Sequence, residues 1–118
     1  MKIEDFRSMY LAELTEAASF EQMVAQAMPQ LAEKVSTDRL RQAIDAHLRE
    51  AKSQEQSLGK LLHKYAGETE GHTDQSMQAL VDESRKMAGM VNEGSLRDAA
   101  IIASLQRMKH YEIAVYGT

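Results

Sequence analysis

The chain has 118 residues with no cysteine, one proline and a formal net charge of -4. This length suits a single domain, and the lack of cysteine excludes disulfides, thiolate metal sites and a cysteine nucleophile. Because the charges are interleaved, no apolar run approaches ~20 residues and the N-terminus lacks an apolar signal core, we expect a cytoplasmic protein that binds neither nucleic acid nor membranes.

The composition predicts an all-α fold, since good helix formers dominate and aromatic residues make up only 5%. The first predicted helix covers about residues 3–35. Its apolar or small positions follow a 4-3-4-3 rhythm only if Glu21 is counted among them. They are Tyr10, Leu14, Ala17, Glu21, Val24, Met28, Leu31 and Val35. A buried, unpaired carboxylate costs several kcal/mol, so an inward-facing Glu21 needs a partner.

The second predicted helix begins after Thr37, a good N-cap, and ends near Gly67. Its seam has apolar ends and a polar middle: Leu40, Ile44, His47, Ala51, Gln54, Leu58, Leu61 and Tyr65. Glu50 lies three residues after His47 and four before Gln54, so an imidazole, a carboxylate and an amide share one helix face.

The polar interruptions of these two helices are predicted to meet. A short turn near Ser36 makes the helices antiparallel neighbours, with Glu21 ~15 residues before the turn and Glu50 ~14 after it. At ~1.5 Å per residue, the two carboxylates lie at about the same height. Carboxylate, imidazole and amide ligands suit iron or manganese.

Two further helices are predicted after a polar loop at residues 68–72. Thr73 is expected to cap a shorter one, whose inner face would carry Met77, Leu80, Ser84, Met87 and Val91. Gly94 ends that helix. Ser95 and Asp98 have the spacing of a capping box for a last helix from Leu96 to the chain end.

The last predicted helix is apolar on two faces, which predicts burial on both sides. His110 lies on one face and Glu112 on the other, so both cannot point at one centre, and the spacing does not choose between them. Lys109 places a positive charge one turn before Glu112. The sequence therefore predicts a helical fold in which the last helix has a second apolar face for one further neighbour.

Two interpretations of the polar residues stay open at this point. In one, Glu21, His47 and Glu50 bind metal. In the other, Glu21 pairs with His47 directly, and a metal-free cluster fixes the helix register of a non-enzymatic interaction module. Whether the chain is an enzyme is not decided by these residues.

Several segments resemble the ferritin-like YciE/YciF stress-protein family over nearly the whole chain. The most specific is an H-Y-E-I-A-x-Y-G-T string at residues 110–118. The others are weaker singly and persuasive in order: Tyr10-Leu11-Ala12-Glu13-Leu14, Phe20-Glu21-Gln22, Ala27-Met28-Pro29-Gln30-Leu31-Ala32, His47-Leu48-Arg49-Glu50 with Gln54, and Arg97-Asp98-Ala99-Ala100.

The resemblance implies a single ferritin-like four-helix bundle over residues 1–118, usually a homodimer, with a site for two iron or manganese ions and a role in bacterial stress responses. If the protein is catalytic, analogy with ferritin-like folds favours metal-dependent oxidation or peroxide handling. By position the resemblance implies the ligands Glu21, His47, Glu50, Gln54 and Glu112, with His110 beside them. Family members usually continue into another long helix, so we expect a C-terminally truncated bundle that loses its metals or is completed by a second copy.

Overall fold

A computed structural model describes residues 2–65 and 73–117, which form four α-helices. They are α1 (Phe6–Ala32), α2 (Asp38–Lys64), α3 (Gln75–Met90) and α4 (Gly94–Gly117). Neither range contains a strand, which confirms the predicted all-α fold. None of these four helices is both long and apolar enough to cross a membrane. The predicted stop at Gly67 and the loop at 68–72 lie outside the described residues.

The helix starts follow local capping chemistry, and one of the three predicted caps is confirmed. Thr37 caps α2 as predicted, with its Oγ1 accepting from the Leu40 amide at 3.3 Å. The cap of α3 is Asp74 and not Thr73, because the Asp74 carboxylate accepts from the Met77 amide at 3.0 Å.

The predicted capping box at the start of α4 is wrong. The Glu93 carboxylate accepts from the amides of Ser95 and Leu96 at 3.0 and 2.6 Å. Glu93 thereby takes the role predicted for Ser95. This leaves Asp98 free to bond elsewhere.

The core forms where α1 packs against α2 and α3, and α3 against α4. The predicted seam of α1 is buried from Ala17 to Val35, with Glu21 included, whereas Tyr10 is exposed. On α2 the seam is buried at Ile44, Ala51 and Leu58, and its last contact is Leu62 rather than the predicted Leu61 and Tyr65. The largest fully buried apolar side chains are Phe20, Met28, Leu31, Ile44, Leu62, Met77, Ile101 and Met108.

Only one face of α4 is buried, so the expectation of burial on both sides is wrong for the chain by itself. The buried face carries Ile101, Met108 and Glu112. On the other face Leu96 and Ile113 are each 60% exposed. Monomeric proteins seldom expose a large continuous apolar area, so this face is a candidate contact surface.

The connection between α1 and α2, residues 33–37, is held by side chains from α2 and α4. The Arg41 guanidinium donates to the carbonyls of Ala32 and Val35 at 3.2 and 3.0 Å. From α4, the Asp98 carboxylate accepts from both the amide, at 2.8 Å, and the hydroxyl of Ser36. This bond fixes the start of α4 against the turn between α1 and α2.

We predict that Asp98→Ala lowers the free energy of unfolding by about 1–3 kcal/mol, because the Ser36 amide loses its acceptor in a partly buried place. Urea denaturation followed by circular dichroism measures the change. Asp82→Ala is the matched control, since Asp82 is exposed and its ion pair with Arg85 is 3.7 Å long. The role given to Asp98 is refuted if both variants unfold within about 0.5 kcal/mol of the wild type.

Candidate metal centre

Glu21, Glu50 and Glu112 lie at about the same height along the bundle, because each is a similar number of residues from one turn. Glu21 precedes Ser36 by 15 residues, and Glu50 follows it by 14. Asp98, which is bonded to Ser36, precedes Glu112 by 14 residues on α4. At ~1.5 Å per residue each carboxylate lies ~21–23 Å from the turn. We call Glu21, Glu50, Glu112 and the neighbouring His47 the carboxylate cluster.

Glu21 is the innermost member of the carboxylate cluster and is only 2% exposed. Its Oε1 accepts a hydrogen bond from the Tyr116 hydroxyl at 3.0 Å. The pKa of Glu21 is raised to about 8, mainly by burial and also by the negative charges of Glu112 and Glu50, while Tyr116 and Lys109 oppose the shift. The Glu21 carboxyl group therefore holds a proton at neutral pH.

The outer part of the cluster is tied together by a histidine and a lysine. His47 Nε2 is 3.4 Å from Oε2 of Glu112, an ion pair when the imidazole is protonated. The Lys109 ammonium is 3.8 Å from a carboxylate oxygen of Glu50 and 3.8 Å from one of Glu112. Glu112 and His47 are largely buried, whereas the Glu50 side chain is 52% exposed. The cluster thus runs from the core to solvent.

The structure separates the predicted ligands into those within the cluster and those beside it. Glu21, His47, Glu50 and Glu112 come together. Gln54 lies on the wall of an apolar groove of about 530 Å³ that α1, α2 and the end of α4 enclose.

His110 is exposed, and its Nδ1 donates to the Gln106 carbonyl at 2.8 Å, so α4 presents Glu112 rather than His110 to the cluster. The direct Glu21–His47 pair that one interpretation proposed is replaced by two contacts. His47 pairs with Glu112, and Glu21 with Tyr116.

Sequence reasoning missed the hydrogen bond from Tyr116 to Glu21. A signal existed, since Tyr116 follows Glu112 by four residues and therefore shares its helix face. The Phe20 ring lies 5.9 Å from the rings of both Tyr116 and Tyr111, so three aromatic side chains form the inner wall beside Glu21.

A second buried acid, Asp74, lies at the start of α3 and was also missed. Its carboxylate accepts from the Tyr111 hydroxyl at 2.7 and 2.8 Å, and its amide donates to Ser19 at 3.0 Å. Burial and the Asp74 carboxylate raise the pKa of Tyr111 to about 12. Because these bonds join α3 to both α1 and α4, Asp74 holds the helices around the cluster together.

The donor set of the carboxylate cluster fits a divalent cation in its chemistry. Three carboxylates and one imidazole are ligands that iron and manganese take, and a buried carboxylate beside two others is relieved by positive charge. Across residues 2–65 and 73–117, however, no three His, Asp or Glu side chains are arranged ready to hold a metal ion. Binding would require the side chains to draw together and Lys109 to move away.

Comparisons with known proteins agree on one family. The sequence profile of a family described as "Domain of unknown function (DUF892)" matches residues 5–118. The chain is 29% identical over 119 aligned residues to Protein YciF of Escherichia coli (strain K12). The alignment covers 100% of this chain and 72% of that protein.

Two solved structures are also similar to the chain. YcfI from Rhodopseudomonas palustris, for which a structural role has been suggested, matches with a TM-score of 0.92 and 29% identity over 98% of this chain and 74% of that one. The E. coli stress protein YciF matches with a TM-score of 0.89 and 28% identity over 98% and 73%. The resemblance to the YciE/YciF family and the helical bundle are thereby confirmed.

We predict that Glu21→Gln changes how stability depends on pH in chelator-treated protein. Folding raises the pKa of Glu21 from 4.5 to about 8, so the folded state binds this proton more tightly than the unfolded state does. The resulting contribution to the free energy of unfolding is fully present below pH 4.5 and is lost as the pH rises through about 8. Relative to the variant, the wild type should lose up to roughly 1.4 kcal/mol per pH unit across this interval. Urea denaturation at a series of pH values measures it.

The matched control is Glu13→Gln, which removes an exposed carboxylate from the same helix and should run parallel to the wild type. If the Glu21→Gln curve also runs parallel to the wild type, Glu21 does not titrate as its burial implies.

Proposed function

The chain belongs to the DUF892 family, and we propose that it is a ferritin-like protein of the bacterial stress-response type that binds iron or manganese at the carboxylate cluster. Its relative of similar fold in E. coli is called a stress protein. The proposal goes beyond that relationship, because the metal is inferred from the side chains of this chain.

One observation carries the proposal: the Glu21 carboxylate is almost fully buried beside two other carboxylates. A buried carboxylate with like charges beside it is unfavourable unless protons or cations neutralise the charge. A divalent ion would do so at neutral pH and displace the proton from Glu21.

Four side chains would hold the ion. Glu21, Glu50 and Glu112 supply oxygen ligands from three different helices, and His47 supplies an imidazole nitrogen. His47 and Glu50 are three residues apart on α2 and so face the same way. The Tyr116 hydroxyl would orient Glu21 by its hydrogen bond.

Iron or manganese bound there would supply redox chemistry, such as ferrous oxidation or the reduction of peroxide. The role of the protein would be to position the carboxylates, to accept or release the Glu21 proton and to exclude water with the Phe20 and Tyr111 rings. This chemistry follows from analogy with other ferritin-like carboxylate proteins.

The predicted second ion needs more donors than the cluster offers. Dimetal carboxylate bundles commonly use about four glutamates and two histidines. Within the described parts of the chain, the cluster contains three glutamates and one histidine. A second ion would therefore depend on ligands from outside it, and we propose one ion as the minimum.

A metal-free interaction module is the second candidate, and the position of Lys109 favours it. The ammonium lies 3.8 Å from both Glu50 and Glu112 and already supplies one positive charge. In this alternative the cluster would fix helix register only. Metal binding separates the two candidates.

We also propose that the exposed face of α4 contacts a second copy of the chain. Leu96, Ile102 and Ile113 are its large apolar side chains. Their removal from water on association would stabilise a homodimer by the hydrophobic effect.

We predict that the wild type binds Mn²⁺ or anaerobic Fe²⁺ and that Glu21→Gln weakens binding at least roughly tenfold, because an inner ligand is lost. Isothermal titration calorimetry measures affinity. Repeating it in buffers of different ionisation enthalpy counts the proton that Glu21 releases in the wild type.

Glu83→Gln is the matched control for metal binding, since Glu83 lies on α3 and its ion pair with Lys86 is exposed. It should bind as the wild type does. No bound metal after anaerobic loading of the wild type would contradict the proposal and leave the metal-free module.

We predict a mass in solution of about twice the 13.2 kDa of the chain, falling to the monomer mass in Ile113→Lys, because the charge would be buried in the contact. Sedimentation equilibrium measures both. Met90→Lys is the control, since Met90 is an exposed apolar residue on α3. A monomeric wild type would rule out the proposed contact.

A further inference from the structure

Lys109 is not one of the four side chains that would hold the metal ion in the proposed site. Its ammonium contacts Glu50 on α2 and Glu112 on α4, so it links the two helices through the carboxylates that would bind metal. Its charge also lowers the pKa of Glu21, which means that it acts on all three carboxylates. Lys109 is therefore the counter-ion of the whole carboxylate cluster.

Lys109 also lies on the side from which the cluster can be reached. A cavity of about 210 Å³ opens between α2 and α4, with Lys109 and His47 on its wall beside the apolar Leu40, Ile102 and Leu105. His47 contacts Glu112, and Glu112 lies close enough to Glu21 to raise its pKa. The cavity thus exposes to solvent the two side chains, Lys109 and His47, that contact the outer carboxylates.

The Lys109 side chain is able to leave this position. It is 41% exposed, and its contacts at 3.8 Å are long for charge-assisted hydrogen bonds. A lysine stem is flexible, and partly exposed ion pairs contribute little to stability. A divalent ion, with twice the charge, would outcompete the ammonium for the same oxygens.

We propose that Lys109 competes with the metal: its ammonium neutralises Glu50 and Glu112, and a divalent cation that binds these carboxylates has to displace it. This inference rests on the proposed metal site and adds how that site is regulated. Lys109 keeps the apparent affinity low, so that the cluster fills only when the free ion is abundant. The Lys109 ammonium thereby sets the concentration of free ion above which the cluster binds metal.

The test compares Mn²⁺ binding by the wild type, Lys109→Met and Lys109→Arg with isothermal titration calorimetry at one pH. We expect Lys109→Met, which keeps the length of the side chain but loses its charge, to bind Mn²⁺ at least roughly tenfold more tightly than the wild type. Lys109→Arg keeps the charge and should stay within about threefold of the wild type.

Lys86→Met is the matched control for net charge, because Lys86 carries an exposed i,i+3 ion pair with Glu83 on α3. It should bind Mn²⁺ as the wild type does. If Lys86→Met gained as much Mn²⁺ affinity as Lys109→Met, the change in overall net charge would explain both gains, and the inference would be overturned.

The two proposals fail in different ways. If the wild type and Lys109→Met bind Mn²⁺ with equal affinity, the competition is wrong and the metal site stands. If neither protein binds Mn²⁺, the metal site itself is wrong, and the competition is wrong with it. If only Lys109→Met binds Mn²⁺ at accessible concentrations, the competition is supported, and metal binding by the wild-type chain is wrong.

Circular dichroism of each variant without metal shows whether it has folded. Lys109 is partly exposed, so its replacement should leave the helical signal unchanged. A folded Lys109→Met protein with weaker Mn²⁺ binding would assign Lys109 a supporting role and overturn the inference.

Discussion

The carboxylate of Glu21 has to be neutralised, because the helix packing removes it almost completely from water. The free-energy cost of burying a charge is of the same order as the free energy of unfolding of a small domain. The groups around Glu21 therefore have to compensate for this cost. A hydroxyl from Tyr116, a proton taken up with a raised pKa and the charge of Lys109 each do part of this. Everything proposed for the cluster concerns which positive charge finally balances Glu21.

The turn between α1 and α2 decides where that charge is needed. Three helices start or end at this turn, and the bond from Asp98 to Ser36 ties α4 to the other two. Near-equal counts of residues along the three helices then bring Glu21, Glu50 and Glu112 to about one level. Asp74 and Tyr111 close the far side by joining α3 to α1 and α4. The register of the bundle and the composition of the site therefore have the same structural cause.

The proposed metal site and the metal-free cluster are two charge states of one arrangement. With Lys109 in contact with Glu50 and Glu112, the cluster is a network of weak ion pairs that holds α2 against α4. With Lys109 withdrawn, the same oxygens would be left without its positive charge and would attract a divalent ion under the proposal. Such a design makes occupancy depend on the concentration of the ion, which suits a protein related to stress proteins.

Much of this molecule is set by local sequence alone. Helix propensity and the spacing of apolar residues predicted four helices, the seam of α1 from Ala17 to Val35, the middle of the α2 seam and the cap at Thr37, because those features depend on neighbours within about one turn. The inward position of Glu21 followed from the same periodicity. The equal height of Glu21 and Glu50 needed only a count of residues from the turn.

Only the tertiary structure decided which face of α4 is buried, because that helix is apolar on both sides and its periodicity is ambiguous. It also decided the acceptors and donors that come from distant residues. Asp98 bonds to Ser36 instead of capping its own helix, Tyr116 rather than His47 pairs with Glu21, and Lys109 reaches across to Glu50. Such contacts join groups far apart in the chain, so they depend on helix packing and not on local spacing.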